Sequence, residues 1–215
     1  MNKTELLSYP EVESLNTPYK NLVVFLHGLG SDGNDLISLV PFIQKDLPDS
    51  YFISPHGVES FDMAPYGRQW FSLNDRSLPV LKELVAKNVD LLKEIIKNKQ
   101  IELNLTNRDT IIIGFSQGTM MGLYLNFIEQ EPFNCVVGFS GRLISPPECI
   151  NKSTPICLVH GVRDDVVDIS SIDEIIEYLK KHNIQHTSYK VQNLAHSIDA
   201  SGLQYAVEFI KKNIR

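Results

Sequence analysis

The chain has little of what marks several common classes of protein. It has only three cysteines, Cys135, Cys149 and Cys157, an odd number with no C-x-x-C pair. Two of them lie in apolar runs, so they read as small reduced hydrophobes and not as a disulfide framework. No window approaches the roughly 20 consecutive apolar residues of a membrane span, and residues 1–13 alternate polar and apolar without a sustained hydrophobic segment. Basic residues do not cluster: the lysines are spread along helix faces and the net charge is −6, which leaves no electrostatic footprint for nucleic acid. Internal repeats, low-complexity tracts and linkers are also missing. There remain 215 residues, expected to form one α/β domain over 1–215, with a core that needs neither disulfides nor metal, in a cytoplasmic setting.

What is present alternates in period. Residues 21–27 (NLVVFLH) form a continuous apolar, β-branched-rich run closed by Gly28, as suits a strand covered on both faces. Residues 51–54, 109–115, 135–139, 156–160 and 187–191 have the same character, and each ends in glycine, proline or polar residues. Between these runs lie helical spacings. Leu81, Val85, Val89, Leu92 and Ile96 predict a helix over 80–97. Ile172, Ile175, Ile176 and Leu179 predict a second, and Leu203, Ala206, Val207 and Ile210 a third. Ser171 with Glu174 three residues on has the form of a capping box for the second. Such alternation predicts a mostly parallel sheet with helices on both faces. Residues 57–79 form the longest stretch without clear period and hold the only tryptophan. Loops of that length in a small domain tend to be functional.

One turn stands out chemically. Gly114-Phe115-Ser116-Gln117-Gly118 directly follows the apolar run of Ile111, Ile112 and Ile113 and directly precedes the helix-like residues 119–128. That is a serine on a strand-to-helix turn, where glycines supply backbone freedom and room. A serine hydroxyl needs a base to take its proton, and histidine has the right pKa. Of six histidines, His27, His56 and His160 each precede a glycine at a strand end and are better suited to shaping a loop, while His182 and His186 sit at a helix end and a strand edge. His196 lies in the loop between the last strand and the last helix, on the carboxyl-end edge where ligands bind in open α/β sheets. The acid belongs between serine and histidine in chain order. Asp164, just past the strand at 156–160, is the first choice, with Asp165 and Asp168 as rivals. Asp168 could equally cap the following helix.

An oxyanion hole of this architecture uses the N–H after the nucleophile and one from an early glycine-rich loop, here Gln117 and Leu29 of His27-Gly28-Leu29-Gly30-Ser31-Asp32-Gly33. A phosphate-cradling role for that loop lacks both the Gly-Lys-Ser/Thr ending and the G-x-G-x-x-G spacing.

With HGLGSDG, GFSQG, HGVRDD and AHSID in this order, the chain resembles the phospholipase/carboxylesterase family of α/β-hydrolases, close to acyl-protein thioesterases and bacterial carboxylesterases. The match runs from Val23 to the C-terminus. Asp165 and Asp168 stand where prolines are common in relatives, and Ala195 stands where glycine usually precedes the histidine. The resemblance implies an α/β-hydrolase fold without a large cap domain, a Ser116, Asp164 and His196 triad, oxyanion donors at Leu29 and Gln117, and no cofactor. It also implies hydrolysis of carboxylic esters or thioesters of small to medium acyl chains, on small molecules or acylated proteins, through an acyl-Ser116. Gly67-Arg68-Gln69-Trp70-Phe71-Ser72 looks like the loop that borders the acyl site in such enzymes, so Trp70 and Phe71 are expected to touch substrate. Lysophospholipase or peptidase activity, or ligand binding without catalysis, would use the same scaffold. Phe61, Met63 and Leu73 are further candidates for apolar lining, or else satellite core.

Overall fold

All six expected strands form, and they make up the body of a seven-stranded sheet in the computed structural model of the protein, which describes residues 8–214. The reading of the first seven residues therefore lies outside the described residues. The elements in chain order are β1 (Glu11–Val12), β2 (Asn21–Leu26), α1 (Gly33–Ile37), α2 (Val40–Ile43), β3 (Ser50–Ile53), β4 (Glu59–Ser60), β5 (Arg68–Gln69) and α3 (Leu78–Leu103). They continue with β6 (Thr110–Phe115), α4 (Gln117–Ile128), β7 (Cys135–Phe139), β8 (Ile156–Gly161), α5 (Ser170–Lys181), β9 (His186–Val191) and α6 (Ala200–Asn213). The sheet runs β1-β3-β2-β6-β7-β8-β9. Every pairing is parallel except that of β1 with β3, where Glu11 faces Ile53 and Val12 faces Phe52.

The unbroken apolar strands follow from covering on both faces. All six residues of β2 are buried. Leu22, Val24 and Leu26 point into one core with Ile112, Leu158 and the buried sides of α3, α4 and α5. Val23 and Phe25 point into a second core with Ile111, Ile113, Val159 and residues of α1, α2 and α6. Each fully buried aliphatic side chain stabilises the fold by roughly 1.5–3 kcal/mol, so a one-residue slip of β2 would exchange the two sets and is strongly disfavoured. This is the doubly covered sheet of an α/β-hydrolase. No helix among the described residues is long and apolar enough to cross a membrane.

The helices depart from expectation in two places. α3 starts at Leu78, with Pro79 in its first turn, and runs six residues beyond 97 to Leu103, where Asn104 ends it in the left-handed region at φ 55°. Its last turns bury polar residues that an apolar period overlooks. The Lys99 ammonium lies 2.7 Å from Glu11 and 2.9 Å from Glu102 and stands 5.2 Å from the centre of the Tyr51 ring, which ties α3 to the edge strand β1. The capping box expected at Ser171 does not form: the helix already starts at Ser170, Ser171 lies inside it and is buried, and Asp168 Oδ1 instead accepts the Ser170 N–H at 2.8 Å.

Candidate active site

Ser116 sits alone between the end of β6 and the start of α4, at φ 53° and ψ −115°. A positive φ is uncommon for a residue with a Cβ and marks strain that the surroundings must hold. Here they do so with hydrogen bonds: Ser116 N–H donates to Phe139 O at 2.9 Å, and Thr119 N–H donates to Ser116 O at 3.1 Å. The flanking glycines act through space, not through freedom of φ, which is positive at neither. A Cβ on Gly118 would lie 1.8 Å from Leu26 O, and one on Gly114 would lie 2.5 Å from Thr119 N. The turn is sharp because helix α4 starts against the end of β2.

The three expected catalytic side chains converge. The Ser116 hydroxyl is 3.0 Å from His196 Nε2, and His196 Nδ1 is 2.8 Å from Asp164 Oδ2. The other carboxylate oxygen of Asp164 accepts the N–H groups of Val166 at 3.0 Å and Val167 at 2.8 Å. Burial alone would raise the Asp164 pKa, but these backbone donors together with His196 outweigh it and hold the carboxyl below its ordinary value. Its rivals lie elsewhere. Asp165 is exposed, and Asp168 is turned to the start of α5, where it accepts the Ser170 N–H. The loop that carries His196 is held against the Asp164 turn by Arg163 N–H donating to Leu194 O at 2.9 Å, and Phe115 packs 4.8 Å from the imidazole, centre to centre.

His160 was not among the expected site residues, yet it supports the acid. Buried at the end of β8, its Nε2 lies 2.8 Å from Val167 O, to which it donates, and 3.4 Å from Asp164 Oδ2. The histidine therefore closes the turn that presents Asp164, consistent with the loop-shaping reading of its sequence position. Its spacing of four residues from Asp164 is the signal that could have connected the two.

The second side of the site is built around His27. Its Nε2 accepts the Gly57 N–H at 2.8 Å, so the ring proton is on Nδ1 and is donated to Gly28 O at 2.7 Å. Full burial lowers the His27 pKa to about 4, against the opposing pull of the Gly28 carbonyl. This neutral ring joins the Gly28 loop to residue 57. The loop is also paired with β5 through Gly30 N–H to Arg68 O at 2.9 Å and Arg68 N–H to Ser31 O at 2.6 Å. The long segment 57–79 thus braces the loop that carries Leu29.

Trp70 and Phe71 require a correction. Both are 0% exposed and belong to the core, and neither lines the cleft at Ser116. Trp70 Nε1–H donates to His27 O at 2.9 Å. Gln117 clamps the same segment: its Oε1 accepts the Trp70 N–H and its Nε2 donates to Phe71 O, both at 2.7 Å. A bulky aromatic pair in an aperiodic loop is compatible with either lining or core, and here satisfying the buried backbone of residues 70 and 71 from Gln117 makes them core. Of the other candidates, Leu73 lines the cleft, Phe61 packs against Gly30 and Met63 is 81% exposed.

The cleft itself has a volume of about 270 Å³. Ser116, His196, Leu29 and Gln117 line it together with apolar side chains that include Leu81, Met120 and Ile144. Among the described residues, no group of three or more His, Cys, Asp or Glu side chains is placed to hold a metal ion.

Known proteins are similar to this chain in sequence and in fold. The family described as phospholipase/carboxylesterase matches residues 7–214. The esterase YpfH of Escherichia coli is 29% identical over 205 residues, covering 94% of this chain and 87% of that protein. Acyl-protein thioesterase 1 of Yarrowia lipolytica is 26% identical over 211 residues, covering 90% and 92%. Among solved structures, the crystal structure of esterase PE8 superimposes with a TM-score of 0.90 at 31% identity, covering 96% of this chain and 99% of that one.

Proposed function

Because the chain belongs to the phospholipase/carboxylesterase family, we propose that it is a serine hydrolase of carboxylic esters or thioesters with Ser116 as nucleophile. One observation carries this reading: the unbroken relay from the Ser116 hydroxyl through His196 to Asp164, at 3.0 and 2.8 Å. His196 Nε2 takes the hydroxyl proton as Ser116 Oγ attacks the acyl carbonyl. Asp164, with its second oxygen held by two backbone N–H groups, fixes the Nδ1–H tautomer and stabilises the imidazolium that forms. The developing oxyanion faces the N–H of Leu29 and the N–H of Gln117. The latter is the first residue of α4, so its N–H has no acceptor within the helix. Each such donor is worth about 3 kcal/mol in the transition state.

Protonation of the leaving alcohol or thiol by His196 gives an acyl-Ser116, which water hydrolyses by the same proton route. A cleft of about 270 Å³ lies just below the usual size of ligand sites, roughly 300–1,000 Å³, and supports small to medium acyl chains. The substrate is a small-molecule ester or an acylated protein, the catalytic unit spans the whole chain, and the setting is cytoplasmic. Three unpaired buried cysteines support that setting. The test is hydrolysis of p-nitrophenyl esters from acetate to palmitate by the wild type, Ser116→Ala, His196→Ala and the double variant. The reading expects turnover that peaks at a short or middle chain length, near-complete loss in each single variant and little further loss in the double. Additive losses would contradict a serine–histidine unit.

A further inference from the structure

The cleft over Ser116 is apolar inside, and its permanent charge is of one sign. Two arginines line it, Arg76 from the segment before α3 and Arg142 from the segment after β7, and no aspartate or glutamate contributes to its wall. Both arginines are exposed, and neither joins any of the ion pairs among the described residues, in a chain of net charge −6. Nearby carboxylates do not enter the lining: Glu148, the nearest in sequence to Arg142, is exposed outside it. Asp75 accepts the Ser77 N–H at 2.8 Å, Asp164 holds His196 at 2.8 Å, and Asp165 is exposed outside the lining.

Backbone dipoles add to the same sign. The 26-residue α3 opens at Leu78, a lining residue, with no acidic side chain in its first turn and no side-chain cap from Ser77. α4 opens at Gln117, also without an acid in its first turn. A planar guanidinium that is not spent on an internal carboxylate is free to bind an incoming carboxylate or phosphate through two parallel N–H donors.

We infer that the substrate carries an anionic group, carboxylate or phosphate, on the part that lies along Arg76 and Arg142, so the enzyme selects acidic esters or thioesters over neutral ones of equal length. This rests on the hydrolase reading of Ser116. The anion can belong to the acyl chain or to the leaving group, and three probes separate these: p-nitrophenyl butyrate, mono-p-nitrophenyl glutarate and 3-carboxy-4-nitrophenyl butyrate. Each kcat/KM is corrected for background hydrolysis, divided by the rate constant for hydroxide-catalysed hydrolysis of that ester, and compared between wild type and the Arg76→Gln/Arg142→Gln double variant. The expected result is a preference of about tenfold for one acidic ester in the wild type. It falls towards unity in the double variant, and also on raising NaCl from about 20 to about 500 mM, which screens an exposed charge pair. Which acidic ester is preferred identifies the side that carries the anion. Equal or slower turnover of both acidic esters in the wild type would overturn the inference, as would a preference that survives the double substitution. Absence of Ser116-dependent turnover of p-nitrophenyl butyrate as well would overturn the hydrolase reading itself, and the inference with it.

Discussion

His27 makes the stability of the protein depend on pH in a window set by its burial. In the folded state its pKa is about 4, against 6.5 for the free side chain, because burial disfavours the charged ring. The unfolded chain therefore binds a proton as pH falls through about 6.5, and the folded chain does not until about 4. Stability is full above the unfolded value and is lost between the two. At ~1.4 kcal/mol per pH unit, the difference is worth about 3 kcal/mol, a large part of the ~5–15 kcal/mol that holds a domain folded. The assay is urea unfolding from pH 7.5 to 4 for the wild type and for His27→Gln, whose side chain keeps a donor and an acceptor but takes up no proton. Subtracting the two curves removes the contributions of His56, Asp32 and Asp35, which also lie near the ring. The wild type should lose about 3 kcal/mol more than the variant over this window. Parallel curves would refute the claim that a buried, neutral His27 joins the two loops.

Three further substitutions test the wiring of the site. Gln117→Leu keeps the backbone N–H but strands the Trp70 N–H and the Phe71 carbonyl, both of which Gln117 satisfies at 2.7 Å. At roughly 1–3 kcal/mol for each stranded group, calorimetry should show a Tm at least ~5 °C lower, whereas a fall under ~2 °C would mean that the clamp contributes little. Asp164→Asn should lower kcat/KM by about 10⁴-fold on a p-nitrophenyl ester, while Asp165→Asn, which removes no contact to His196, should change it by less than about threefold. The reverse order would move the acid to Asp165.

Much of this architecture was legible because its causes are local and periodic. Strands buried on both faces, such as β2 and β6, cannot alternate polar and apolar residues, so they appear as plain apolar runs. The serine turn was legible because its constraint is steric and falls on residue type: only glycine fits where α4 meets Leu26 O. Elements fixed by a few distant contacts were hidden. β1 and the β4–β5 hairpin have strands of two residues, and α1 and α2 have five and four residues, too few to show a period. The end of α3 depends on Lys99 meeting Glu11, 88 residues away. The site divides the same way. Chain order was enough to nominate Asp164 and His196, but that His160 closes the Asp164 turn, and that Trp70 and Phe71 lie behind Gln117 and not in the cleft, follows from packing between segments far apart in sequence.

The proposed hydrolase stands on Ser116 as a nucleophile activated by His196 and Asp164. Intact-mass and peptide mapping after treatment with an alkyl fluorophosphonate test it most directly, because the probe reports the activated serine whatever the natural acyl group is. One phosphonyl adduct per chain is expected on the peptide containing Ser116, with no adduct in Ser116→Ala and a sharply slowed reaction in His196→Ala. A folded wild type that stays unlabelled, or one labelled at another residue, would contradict it.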